Sequence, residues 1–191
     1  MAISDVSICN TALITLGEDP IASFDDDVKA ARLCNSIYED TRDAVLRDAK
    51  WNFALERVEL ALLTTTPEFE FSNQFQLPAD CIRVVYTDDD LAPYRIEGNK
   101  LLTDSSSVKI LYVKQVTDPV QFDTTFRAAL SARLAMEMAI PLTDSESRFQ
   151  TAAKLYEEKI SIARGMDAQE NGSIEVFEAD EWINARGGVT V

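Results

Sequence analysis

The sequence predicts an α+β protein that is mainly α: a helical bundle with an inserted small antiparallel β-sheet and an extended C-terminal tail. Phe122, Phe126, Leu130, Leu134 and Met138 recur at every fourth position, and a face with this spacing must be buried. Between residues 64 and 118, threonines, prolines and alternating apolar residues replace that pattern, which is typical of strands and turns. We therefore predict a helical domain, residues 1–169, with a β insertion at about 64–118, and a docking tail, residues 170–191.

Composition narrows the possible functions. The chain has 191 residues, 46% apolar and 27% charged, which predicts one folded domain without a membrane-spanning segment. Its net charge of −15 argues against ordinary binding to the nucleic-acid backbone, which needs clustered Lys and Arg. It contains no histidine and no glycine-rich phosphate-binding motif, so the usual nucleophilic pairs and nucleotide loops are missing. We predict no enzymatic activity and no cofactor.

The three cysteines, Cys9, Cys34 and Cys81, are far apart in the chain. Their number and spacing fit neither a disulfide framework nor a zinc site. We interpret them as small buried apolar groups in a reducing compartment.

The first helix is expected near residues 4–16. Ser4 can cap its first turn, and Gly17 stands where a helix ends in left-handed geometry. A second helix is expected at 26–48, with the run Asp25-Asp26-Asp27 at its N-terminus, where the helix dipole favours carboxylates. A metal site in that run is the weaker alternative, since the spaced ligands and the glycine of a calcium loop are missing.

The β insertion follows two aromatic residues, Trp51 and Phe53, which we expect to anchor the chain where it leaves the second helix. Residues 56–63 are compatible with either a strand or a helix. An antiparallel sheet is expected within residues 81–114, with Gly98-Asn99 as a two-residue hairpin turn.

Two long helices return the chain to the bundle, near residues 123–139 and 143–168. The first is expected to end at Ile140-Pro141, because proline disfavours helical geometry in the residue before it. The second is expected to begin with a capping box formed by Thr143 and Glu146.

The acidic tail carries bulky side chains but is too short to form a core of its own. We predict that Phe177, Trp182, Ile183 and Arg186 dock on another protein, since Trp and Arg are common energetic centres of interfaces. The alternative is that Trp182 packs back on its own helices.

Seven segments, taken in their order along the chain, form a distinctive set: Asn10-Thr11-Ala12-Leu13, Leu16-Gly17-Glu18-Asp19-Pro20-Ile21, Arg42-Asp43-Ala44-Val45-Leu46, Trp51-Asn52-Phe53-Ala54, Gln76-Leu77-Pro78-Ala79-Asp80-Cys81-Ile82-Arg83-Val84, Tyr94-Arg95-Ile96-Glu97-Gly98 and Asp180-Glu181-Trp182-Ile183-Asn184-Ala185-Arg186. Together they resemble the head-to-tail adaptor proteins of tailed bacteriophages, including the tail tubular protein A group of short-tailed phages. The likeness covers nearly the whole chain.

The resemblance implies a virion structural protein of the neck or tail, assembled in the host cytoplasm. It also implies a ring, typically of twelve subunits, that joins the portal to the distal tail or nozzle protein and lets DNA pass through its lumen. No active-site residues come with it. The alternative from another class is an acidic regulatory or DNA-mimic protein that binds a basic host partner, and its support is the net charge.

Overall fold

The computed structural model describes residues 3–170, in which the chain forms four α-helices and seven strands. The helices are α1 Asp5–Leu16, α2 Lys29–Asp48, α3 Thr124–Thr143 and α4 Glu146–Glu170. The strands are β1 Leu55–Glu59, β2 Ala61–Leu62, β3 Asn73–Gln76, β4 Cys81–Thr87, β5 Tyr94–Glu97, β6 Lys100–Thr103 and β7 Lys109–Lys114. This confirms the predicted class, a mainly helical α+β fold with an antiparallel β region between the second and third helices.

Helix α1 has the predicted ends. The Ser4 hydroxyl accepts a hydrogen bond from the Ser7 amide at 3.2 Å, and the Ser7 hydroxyl accepts one from the Ser4 amide at 3.0 Å. Gly17 takes φ 74°, and its amide donates to the Ile14 carbonyl. The orphan amides and carbonyls of both ends are thus partly satisfied within the chain.

Helix α2 begins three residues later than predicted, so the acidic run lies before it. The Asp26 carboxylate accepts hydrogen bonds from the amides of Ala22 and Ser23, at 2.7 and 3.2 Å, and closes the preceding turn. Asp27 pairs with Arg32 in the first turn of the helix at 2.6 Å. The aspartates therefore order the loop that enters α2.

The predicted boundary between the last two helices is wrong by one turn. Helix α3 continues through Pro141 to Thr143, where the hydroxyl of Thr143 donates to the Ala139 carbonyl at 2.7 Å. Proline removes one backbone bond, but Leu142 packs against the core beyond it. Thr143 therefore belongs to α3, and the hydroxyl of Ser145 accepts the Arg148 amide at the start of α4 instead.

Most of the surface of α3 is buried, and α1, α2 and α4 all pack on it. Its fully or nearly fully buried residues are Phe126, Ala129, Leu130, Ser131, Ala132, Leu134, Ala135, Met138 and Ala139. The predicted stripe is confirmed, and the four alanines extend it around the helix. The bundle's single apolar core forms around this helix.

The β region consists of two sheets, with strand orders β1-β7-β4 and β2-β3-β6-β5. It begins at Leu55, so the prediction that the sheet lies within residues 81–114 is wrong in extent. Residues 56–63, which fit either a strand or a helix, contribute to β1 and β2. The Gly98-Asn99 turn is confirmed, with Gly98 at φ 60° between β5 and β6.

A second, smaller core lies between the two sheets. Its buried residues are Leu60, Phe75, Leu77, Leu101, Val108, Ile110 and Tyr112. Strand β7 contributes to both cores, because its residues alternate between its two faces: Ile110 and Tyr112 face the second core, and Val113 faces the bundle.

We expect Leu130→Ala to lower the free energy of unfolding by about 2–5 kcal/mol, the range for truncating a fully buried leucine. Leu130 is fully buried on α3. Chemical denaturation followed by circular dichroism measures the change. The matched control is Ile14→Ala on α1, where the side chain is 64% exposed and the loss should stay small. Equal losses for the two variants would contradict the packing described for α3.

Candidate assembly interfaces

The four residues predicted to dock on a partner, Phe177, Trp182, Ile183 and Arg186, lie outside the described residues. The structure does describe the helix that directly precedes the C-terminal segment. Glu170, assigned to the tail from sequence, is the final residue of α4. The chain therefore enters its C-terminal segment from the end of a helix packed on the bundle.

An open cleft of about 390 Å³ lies beside the last turns of α4. It is lined by Ala49, Lys50, Trp51, Asn52, Phe53, Asp123, Thr124, Thr125, Ala163 and Met166. These residues come from the exit of α2, the start of α3 and the final part of α4. The final part of α4 thus borders a concave surface that has both apolar and charged groups.

Trp51 and Phe53, which line this cleft, belong to an aromatic cluster. The Trp51 ring packs edge-on against Phe126 with ring centres 5.0 Å apart, and Phe53 contacts both Phe122 and Phe126. The indole Nε1 of Trp51 donates to the Val45 carbonyl at 2.8 Å, which satisfies its polar atom in the interior. The prediction that Trp51 and Phe53 anchor the chain after α2 is confirmed.

Polar and charged side chains of the bundle bond one another across the helices. Tyr156 of α4 donates to the Asp48 carboxylate at 2.5 Å, and Thr41 donates to Glu137 at 2.7 Å. Arg133 pairs with Glu137 and stands over the Tyr156 ring at 5.3 Å. Burial, followed by the hydrogen bond to Asp48, raises the pKa of the Tyr156 hydroxyl above its ordinary value. This arrangement connects three helices, and each of the two hydroxyl groups donates its proton to a carboxylate on another helix.

The predicted burial of the cysteines is confirmed for two of the three residues. Cys9 and Cys34 are buried in the bundle, and the Cys34 sulfur lies 3.5 Å from that of Met138. A hydrogen bond with Cys34, together with burial, raises the pKa of the Cys9 thiol, so its reactive thiolate is disfavoured. Cys81 is only half-buried, because it lies at the start of an outer strand.

The described side chains contain no cluster of His, Cys, Asp or Glu that could hold a metal ion. The same part of the chain has no helix that is long and apolar enough to cross a membrane.

The β region exposes apolar side chains that the sequence did not single out. Leu91 is 94% exposed and Phe69 80% exposed, and Leu62, Tyr94 and Ile96 are partly exposed at the two edges of the second sheet. The alternation of Tyr94 and Ile96 with Arg95 and Glu97 predicts a strand with one buried face. Which strands a neighbouring sheet covers depends on topology, so the pattern alone could not reveal these exposures.

The β region, joined to a helical bundle with polar contacts across its helices, has exposed apolar edges of the kind that mark interaction surfaces. A family model described as tail tubular protein matches residues 6–121. The chain therefore belongs to the tail tubular protein family, structural components of the bacteriophage virion tail that are not known as enzymes. No curated protein matches the chain.

We expect Tyr156→Phe to lower the free energy of unfolding by about 0.5–1.5 kcal/mol at neutral pH, because the hydrogen bond to Asp48 is lost. Because the folded-state pKa of Tyr156 is raised above the ordinary tyrosine value, this contribution is complete below pH about 10, begins to decline there, and is lost as the pH rises through the raised pKa. Urea unfolding of both proteins at several pH values tests this. Tyr94→Phe on exposed β5 is the control; a Tyr156→Phe loss no larger than the control's would contradict the role of this bond.

Proposed function

We propose that this tail tubular protein is the head-to-tail adaptor of a tailed bacteriophage. Twelve subunits form a ring in the neck of the virion, after assembly in the host cytoplasm. The ring joins the portal to the distal tail or nozzle protein, and genomic DNA passes through its lumen. The family match over residues 6–121 carries this proposal, and the sequence segments quoted above support the adaptor role within the family.

The charge of the subunit suits a channel for DNA. The net charge is −15, and exposed carboxylates occur on α2, in the β4–β5 turn and on α4, at Glu39, Asp40, Asp88, Asp89, Asp90, Glu157 and Glu158. DNA phosphates are repelled by such a surface, while tight binding requires clustered Lys and Arg. A lumen with this charge lets DNA slide without being held.

The C-terminal segment is the part that we assign to the portal. Trp182 stands twelve residues beyond Glu170, the end of α4. An extended segment of that length spans up to about 40 Å, enough to leave the subunit. Phe177, Trp182 and Ile183 would supply the apolar contacts and Arg186 a polar one, and together they must outweigh the ordering of the segment on docking.

We expect the purified protein to form rings of twelve subunits on its portal, as seen by negative-stain microscopy and native mass spectrometry. The matched control is the protein mixed with an unrelated ring-shaped complex of similar size, on which no assembly should occur. A stable monomer that ignores the portal, but competes with DNA for a basic protein, would overturn the adaptor proposal and favour the acidic regulatory protein.

We expect deletion of residues 171–191 to leave the melting temperature of the monomer nearly unchanged, while binding to the portal falls steeply. Trp182→Ala should weaken portal binding at least tenfold, since a central interface Trp contributes about 2 kcal/mol or more; Val189→Ala in the same segment is the control. A deletion that lowers the melting temperature by several degrees would instead place Trp182 on its own helices, where the cleft beside α4 is open.

A further inference from the structure

We propose that the two open edges of the second sheet, β2 and β5, join neighbouring copies of this chain side by side. The proposal rests on the ring described above and names the surface that closes it. Strands β2 and β5 are the outer members of the order β2-β3-β6-β5. A strand at a sheet edge presents free amide and carbonyl groups that can pair with another chain.

An apolar row runs across this sheet from one edge to the other. The strand register places Leu62 opposite Phe75, Phe75 opposite Leu101, and Leu101 opposite Ile96. The two central residues are buried against the first sheet, whereas Leu62 is 53% and Ile96 45% exposed. The first sheet has three strands and the second four, so both ends of the row remain uncovered.

The backbone at both ends of the row faces outward. Leu63 donates its amide to the Gln74 carbonyl on β3, and antiparallel pairs alternate, so the N–H and C=O of Leu62 point away from β3. On the other side, the bond from Leu77 to the Asn99 carbonyl makes Phe75–Leu101 a hydrogen-bonded pair. Ile96, opposite Leu101, therefore directs its N–H and C=O away from β6. A new strand can pair at either edge without breaking an existing bond.

The directions of the edge strands match a ring. All neighbours in this sheet are antiparallel, and with four strands the two edges run in opposite directions. When β5 of one copy meets β2 of the next, the pair is again antiparallel, and Ile96 can stand opposite Leu62. This contact uses different surfaces on the two copies, which is the kind of contact that builds a ring when the rotation from copy to copy closes.

The charges of β5 do not obstruct this contact. Arg95 and Glu97 lie on the opposite face of the strand from Tyr94 and Ile96. Arg95 pairs with Glu70 at 3.0 Å, so the segment that follows β2 crosses that outer face. Many edge strands carry an inward-pointing charged residue that prevents pairing with another chain. The row that ends at Ile96 has no such residue, so pairing at this edge is not prevented.

Two substitutions of exposed residues test the contact with the full-length protein and its portal. Ile96→Lys and Leu62→Lys each place a charge at one end of the row. We expect both to abolish ring formation, or to raise the concentration needed for it at least tenfold, with monomer melting temperatures close to wild type. Ile14→Lys, at a 64% exposed isoleucine on α1, is the matched control and should assemble normally. Rings that form equally well from both edge variants would overturn the proposal.

Cross-linking establishes which edges meet. A mixture of Leu62→Cys and Ile96→Cys proteins, assembled on portal and treated with a short bis-maleimide, should give a dimer band that neither variant gives alone. Wild type, with its native cysteines, provides the background. Dimers from Ile96→Cys alone would show that β5 pairs with itself, and would overturn the proposed arrangement. If wild type forms no rings at all, the proposed function fails together with this inference; rings without the mixed cross-link overturn this inference alone.

Discussion

The packing of α3 against three other helices is the constraint on which the rest of the structure depends. A helix in this position must be apolar around most of its circumference, and its large, fully buried side chains are Phe126, Leu130, Leu134 and Met138. Its alanines allow close approach, since each adds little volume between two backbones. Ser131, buried among them, donates its hydroxyl to the Ala128 carbonyl at 3.1 Å. Polar side chains that enter this interface are thus bonded within it, as burial requires.

Local signals predicted the four helices, the caps of α1 and the hairpin turn, while competition between neighbouring interactions decided the boundaries of the other helices. Ser4 and Gly17 act within one turn of chain, and their roles could be deduced without knowledge of the fold. The roles of Pro141 and Thr143 could not be deduced in this way, because the burial of Leu142 extends α3 past the position where proline favours the end of a helix. The start of α2 depended likewise on whether Asp26 caps the helix or the preceding turn, and both uses suit an aspartate.

The interaction surfaces were less predictable than the fold. Composition led us to predict docking by Trp182 and its neighbours, because a short acidic segment with bulky apolar residues cannot form a core of its own. The exposed ends of the apolar row escaped notice, since Ile96 has the same alternating pattern as a residue facing a core. Whether such a residue is exposed or faces a core depends on the number of strands in each sheet. That number is set by pairings between residues far apart in the chain. The cleft beside α4 is equally non-local, because residues near 50, 124 and 165 form it.

The aromatic contact between Phe53 and Phe122, with ring centres 5.8 Å apart, joins the start and the end of the β region. The chain therefore leaves the helical bundle and returns to it at nearly the same point. An insertion with adjacent ends constrains its host very little, and each doubling of its length adds only about 0.6 kcal/mol of loop-closure entropy. Strands can accordingly be added to or removed from this region at little cost to the bundle, so the surface that the β region presents can change while the bundle keeps its shape.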